Sequence, residues 1–174
     1  MIKFKKVKID VENKNFKNIN YLENIFNLTK NYNNYLNDDY SQNSDLFEQI
    51  IKLITQTSPF FWVILSDEDF AGFVYLENII GNNKHLHSAE IVTAFERKFW
   101  GKFTKSCAKK FIMYCFKKLK FKKLKAIIYK ENFRTEGILK TCGMTLEATL
   151  KAETLRNNKL QDIKIYSVIR GKQK

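Results

Sequence analysis

The residues with the most chemical content lie just before position 104. The run Glu90-Ile91-Val92-Thr93-Ala94-Phe95 is rich in β-branched and apolar residues and reads as a strand. It leads through Glu96-Arg97-Lys98-Phe99-Trp100-Gly101-Lys102-Phe103 into a helix that starts at Thr104. A strand that passes through a basic turn into a helix presents the first N–H groups of that helix, which have no partner inside it, at the positive end of its dipole. That combination suits a phosphate or pyrophosphate. Gly101 permits close approach of a ligand to the backbone, and Lys98 and Lys102 add positive charge. An ordinary strand-to-helix connection shows the same pattern, so on these residues alone both readings stand.

Proton transfer has two candidates on the same strand. His87 shares a face with Ile91 if the strand is regular, and Glu90 points to the opposite face. An imidazole has a suitable intrinsic pKa for taking a proton from an ammonium group; an ordinary, partly exposed strand histidine is the alternative. Glu90 is either a catalytic group or a structural carboxylate. His85 and His87 have no third ligand in view, so no metal site is expected. Cys142, at a helix end before Gly143, reads as packing, and Trp100 as the anchor of its loop.

The elements that must position these residues follow from periodicity. Residues 3–11 alternate imperfectly and predict an edge strand. Phe16, Ile19, Tyr21, Leu22, Ile25, Phe26 and Leu28 predict a first helix, and the Asn-rich stretch 31–43 a polar loop. Asp45 caps a second helix through about Thr57, with Leu46, Ile50, Leu53 and Ile54 as its buried stripe. Three strands in series then cover 60–65, 70–80 and 85–95, separated by turns at 66–69 and 81–83. The clearest helix spans 104–121, where Ala108, Phe111, Ile112, Cys115 and Leu119 share one face. A short buried-type strand at 124–129 follows, then a helix over 132–142 closed by Gly143, and a hairpin of strands 145–155 and 160–169. The order β-α-α-β-β-β-α-β-α-β-β predicts an α+β fold with a mixed sheet.

Four patches carry a family resemblance. The run from Ala89-Glu90-Ile91 to Phe99-Trp100-Gly101-Lys102 resembles the strand and phosphate loop of the GNAT superfamily of N-acetyltransferases. It is most similar to the branch of ribosomal-protein N-terminal and spermidine acetyltransferases. Asn132-Phe133-Arg134-Thr135 with Leu139 to Met144 resembles the Asn-containing stretch and following helix of that branch. Asp162 with Tyr166-Ser167 is similar to its last strand, and Gly72 to a glycine early in its third. The resemblance implies a twisted, mostly antiparallel sheet of about seven strands with helices on both faces, the fourth and fifth strands (90–95 and 124–129) splayed apart. It implies acetyl-CoA as co-substrate. Backbone groups of Ile91, Val92 and Thr93 would pair with its pantetheine arm, N–H groups of Phe99, Trp100, Gly101, Lys102, Phe103 and Thr104 would bind its pyrophosphate, and Asn132 would contact the arm. A neutral amine would attack the thioester directly. Two positions depart from the family pattern. Phe103 stands where a small residue is usual, and Leu139 where many relatives carry a tyrosine that protonates the leaving thiolate.

Composition sets the outer bounds. The 174 residues, 44% hydrophobic, fit one domain over 1–174 with a core of its own. Three cysteines without paired spacing predict reduced thiols and a cytoplasmic setting. The first ten residues lack a signal-peptide core, and no apolar run approaches a membrane span. The net charge of +13 fits a ribosome or RNA partner, but a Lys-, Asn- and Ile-rich chain also follows from A/T-rich codons. That charge disfavours a polyamine acceptor. The reading is therefore an N-acetyltransferase acting on a protein N-terminus or small amine, as monomer or homodimer. A weakly active acetyl-CoA-binding domain and a basic RNA-binding domain are the alternatives.

Overall fold

The structure, a computed structural model, describes residues 1–10, 15–36, 38–39, 45–82 and 85–171. Its strands are β1 (Ile2–Lys6), β2 (Lys8–Asp10), β3 (Asn15–Lys17), β4 (Phe61–Ser66), β5 (Asp69–Gly81), β6 (Leu86–Phe95), β7 (Lys123–Tyr129), β8 (Thr145–Arg156) and β9 (Lys159–Ile169). The helices are α1 (Leu22–Leu36), α2 (Leu46–Gln56), α3 (Lys102–Lys117) and α4 (Phe133–Thr141). Seven strands form one sheet in the order β1-β4-β5-β6-β7-β9-β8, while β2 and β3 pair separately. The sheet is antiparallel at β1–β4, β4–β5, β7–β9 and β8–β9, and parallel at β6–β7. This is the mixed, mostly antiparallel sheet expected.

By their contacts the residues fall into two compact units, Met1–Leu76 with Thr93–Lys98, and Glu77–Val92 with Phe99–Lys174. In the first unit β4 is an unbroken apolar run, Phe61 to Leu65, and all five residues are buried. A strand flanked on both edges and buried on both faces reads this way. Its Phe61, Val63 and Leu65 join Phe73, Ala94, Ile25 and Leu28 of α1, and Ile50 and Ile54 of α2 in one core. Asp45 caps α2 as expected, its Oδ1 accepting from the N–H of Phe47 (2.8 Å) and Glu48 (3.0 Å). Gly72 is required by space as well as by its φ of +153°: a Cβ there would lie 2.1 Å from the Ala94 carbonyl oxygen.

Two expectations for this unit change. The strand expected over 3–11 divides, β1 joining the main sheet and β2 the small one. The first helix runs on to Leu36 through residues assigned to a loop, with a non-helical Tyr32 (φ −118°, ψ 17°) marking the kink. Asparagine disfavours helix by well under about 1 kcal/mol per residue, too little to end a helix anchored by the buried Ile25 and Leu28. Residues 37 and 40–43 of that expected loop lie outside the described residues.

In the second unit α3 buries Cys107, Phe111, Ile112, Cys115 and Phe116. It stops at Lys117, short of the expected 121, because Lys120 adopts φ +66° and turns the fully buried Phe121 inward. β7 alternates, with Leu124, Ala126 and Ile128 buried and Ile127 nearly half exposed. The β8–β9 hairpin turns at Asn157 and Asn158 (φ 51° and 54°), residues that tolerate left-handed backbone. Asp162 fixes an irregularity in β8: its Oδ1 accepts from the N–H of Ala152, which sits at φ +50°, and its Oδ2 contacts Lys151 at 2.9 Å and Lys130 at 3.2 Å. These partners hold the Asp162 carboxyl well below the usual carboxylate range, the Lys151 hydrogen bond foremost.

Candidate active site

The parallel ladder between β6 and β7 is short. It comprises Ser88↔Lys123, Ala89↔Leu124 and Glu90↔Lys125, extended backward by a 2.9 Å bond from the Lys122 N–H to the His87 carbonyl. Beyond Glu90 and Lys125 the two strands have no further register, although β6 continues to Phe95 and β7 to Tyr129. On its far side β7 remains paired with β9 as far as Tyr129↔Ile163. The inner edges of Ile91 and Val92 on β6, and of residues 126–129 on β7, therefore offer backbone donors and acceptors to something other than each other. This is the opening expected between strands 90–95 and 124–129.

The C-terminal end of β6 leads to the start of α3. Gly101 stands at its N-cap with φ 101° and ψ −119°, and no side chain caps the helix. α2 and α4, by contrast, are capped by Asp45 and by Asn132, whose Oδ1 accepts from the Thr135 N–H at 3.2 Å. The first turn of α3 holds no acidic residue, and its first closed bond is Lys105 N–H to Gly101 O at 3.1 Å. The N–H groups of Lys102, Phe103 and Thr104 precede that bond, as a phosphate site requires. Nothing lies within 4 Å of a Cβ built on Gly101, so its backbone angles, rather than crowding, call for glycine.

The loop is braced by its own side chains. Thr104 Oγ1 donates to the Phe99 carbonyl at 2.9 Å. Phe103 packs its ring on Phe99, with centroids 5.0 Å apart. Its bulk is thus taken up by packing. Trp100 is exposed on its outer side and carries the Arg134 guanidinium 4.6 Å over its ring, which ties the loop to the start of α4.

Glu90 is buried and fully engaged. One carboxylate oxygen meets Lys125 Nζ at 2.6 Å, and the other accepts from Asn78 Nδ2 at 2.9 Å. Those bonds fit the structural alternative for Glu90. His87 is exposed and lies before the ladder, on the closed side of the opening. A second carboxylate of this region, not singled out in the sequence, is Glu77 on β5. Gly72 lies against Phe95 and Gly81 against Leu86, and counting inward equally from either anchor brings Glu77 opposite Glu90. Burial, followed by the charge of Glu90, pushes the Glu77 carboxyl above its ordinary value. The turn expected at 81–83, of which residue 83 lies outside the described residues, could have revealed this pair, since a hairpin register follows from its turn.

Leu139, Glu136 and the three cysteines also have defined places. Leu139 is buried on α4. Three residues earlier Glu136 accepts from the Tyr166 hydroxyl at 2.8 Å and meets Lys140 and Lys164 at 2.6 and 2.7 Å. These bonds, that from Lys140 first, hold the Glu136 carboxyl down to about 2. All three cysteines are buried and unpaired, and burial pushes the Cys107 thiol up to about 12 and Cys115 and Cys142 upward as well. Among the described residues no group of His, Cys, Asp and Glu forms a metal site, and no helix is long and apolar enough to cross a membrane.

Comparison with known proteins gives the family and the fold. Residues 20–145 match the family model described as an acetyltransferase (GNAT) domain. A solved structure of spermidine N-acetyltransferase from Vibrio cholerae, in complex with CoA and spermine, superposes with a TM-score of 0.77 at 20% identity, covering 99% of this chain and 97% of that one. A GNAT-family acetyltransferase from Bacillus anthracis superposes with a TM-score of 0.71 at 14% identity, covering 97% and 94%. No curated protein matches the sequence significantly.

Proposed function

The chain belongs to the GNAT acetyltransferases, acetyl-CoA-dependent enzymes of amine acetylation, and from that premise we propose where and on what this member acts. The reading rests on one observation: the β6–β7 ladder ends at Glu90↔Lys125, leaving two strand edges open beside a strand that feeds the uncapped start of α3. Backbone groups of Ile91, Val92 and Thr93 pair with the pantetheine arm and hold the thioester carbonyl. The N–H groups from Phe99 to Thr104 hold the pyrophosphate, with Lys98 and Lys102 nearby. The amide nitrogen of Asn132, whose oxygen is spent on capping, is the group left for the cofactor arm.

In this reading the amine nitrogen attacks the acetyl carbonyl, the C–N bond forms, the C–S bond breaks, and CoA departs as thiolate. A backbone N–H on the open edge of β6 stabilises the developing oxyanion. Leu139 cannot protonate the thiolate, so solvent does. That slows transfer without preventing it, since a thiolate is a good leaving group. The acceptor is a primary amine on a molecule of low positive charge, a ribosome-bound protein N-terminus fitting better than a free polyamine. Repulsion by a chain of net charge +13 is the reason. Calorimetric titration with acetyl-CoA, followed by thiol release over an amine panel, tests the proposal. One-to-one micromolar binding with amine-dependent release supports it; a folded protein that does not bind overturns it.

A further inference from the structure

We infer that Glu77 is the general base of the reaction, receiving the ammonium proton of the acceptor on the sheet face that carries Glu90 and Lys125. The inference rests on the acetyltransferase reading above and adds to it a catalytic group.

Its geometry comes from the sheet. Glu77 and Glu90 are neighbours across β5 and β6, and Lys125 is the partner of Glu90 in β7. The three side chains make a row across the sheet at the last rung before β6 and β7 part. Within that row Glu90 is committed to Lys125 and Asn78. The Glu77 carboxylate has no hydrogen bond or ion pair among the described residues, and the residue is half-buried. The left-handed Asn78 (φ 47°) next to it turns its amide to Glu90, so that amide is spent as well. The charged groups facing Glu77 are thus Glu90 directly and Lys125 behind it. The three sum to one negative charge, which suits one ammonium group.

A carboxylate held in that setting is a stronger base than one in water, because burial and the neighbouring Glu90 both disfavour its charge. The balance of the step is simple. The ammonium gives one proton to the Glu77 carboxylate, and the freed lone pair forms the C–N bond as the C–S bond breaks. Of the two protons left on nitrogen, one passes through solvent to the thiolate and the other stays on the amide product, and Glu77 returns its own to water. Glu90 and Lys125 act as positioning residues, holding the rung on which this happens.

The test is Glu77→Gln, an isosteric change at a partly exposed site, read by acetyl-CoA calorimetry and by the pH profile of kcat/KM with the best amine found. The expected result is unchanged acetyl-CoA affinity, kcat/KM lower by about 100-fold or more, and loss of the acidic limb of the profile. Glu77→Asp, which keeps the carboxylate, should restore part of the rate and the limb; it also serves if Glu77→Gln does not fold. Activity within about three-fold of the parent, with the same acidic limb, overturns the role of Glu77 while leaving the acetyltransferase reading intact. A parent protein that binds no acetyl-CoA overturns both.

Discussion

Glu90 and Lys125 are partners twice over: they form the last backbone rung between two parallel strands, and their side chains meet at 2.6 Å. The point where the sheet opens therefore carries an ion pair between a buried carboxylate and a partly buried lysine. A sheet that only needed stability would place apolar side chains there, because a buried ion pair seldom outperforms a well-packed apolar pair.

Removing one partner of that pair should cost more than removing both. Lys125→Met leaves Glu90 without its cation and should lower stability by about 3 kcal/mol. Adding Glu90→Leu to Lys125→Met should recover most of the loss. Urea denaturation of the two single variants and the double variant checks this, and an additive double variant would show that the contact is not coupled.

Gly101→Asp should weaken acetyl-CoA binding by at least about ten-fold with an unchanged far-ultraviolet circular dichroism spectrum, since it places an anion where the start of α3 is to receive one. Gly101→Ala separates backbone strain from charge. If both bind as the parent does, the proposed phosphate position is wrong.

Acid should act on the fold through Glu136. Its carboxyl titrates near 2 in the folded protein, below the ordinary value of 4.5, so its stabilisation is complete above about 4.5 and disappears as pH falls toward 2. Glu136→Gln should lower Tm at neutral pH and flatten the decline of Tm between about pH 5 and pH 2.5. A decline as steep in the variant as in the parent would place the acid sensitivity elsewhere.

A polyamine should respond to salt in the direction opposite to an attracted substrate. With like charges on protein and acceptor, kcat/KM for spermidine should rise as ionic strength goes from about 0.02 to 0.2 M, because screening relieves repulsion. A fall over that range would show that the site attracts polycations in spite of the net charge.

What could be read from sequence was whatever local periodicity controls. Asp45 as a cap, Gly101 ahead of a helix, and the paired asparagines of the last turn each act within a few residues, and each stands where expected. The continuation of α1 to Leu36 and the early end of α3 depend on burial of Ile25, Leu28 and Phe121, which only tertiary packing decides. The same distinction holds in the site. The backbone positions proposed for the cofactor, from Ile91 to Thr104, were legible as candidates because they follow one another in the chain. Glu77 was not, since nothing in its own strand distinguishes it from a solvated residue, and its meaning comes from the neighbour across the hairpin.

The buried cysteines have a practical consequence. With Cys107, Cys115 and Cys142 all withdrawn from solvent and their thiolates disfavoured, a chromogenic disulfide reagent added during turnover meets few reactive sulfur atoms on the protein itself. The colour it develops counts the CoA released, and the folded enzyme supplies its own low background.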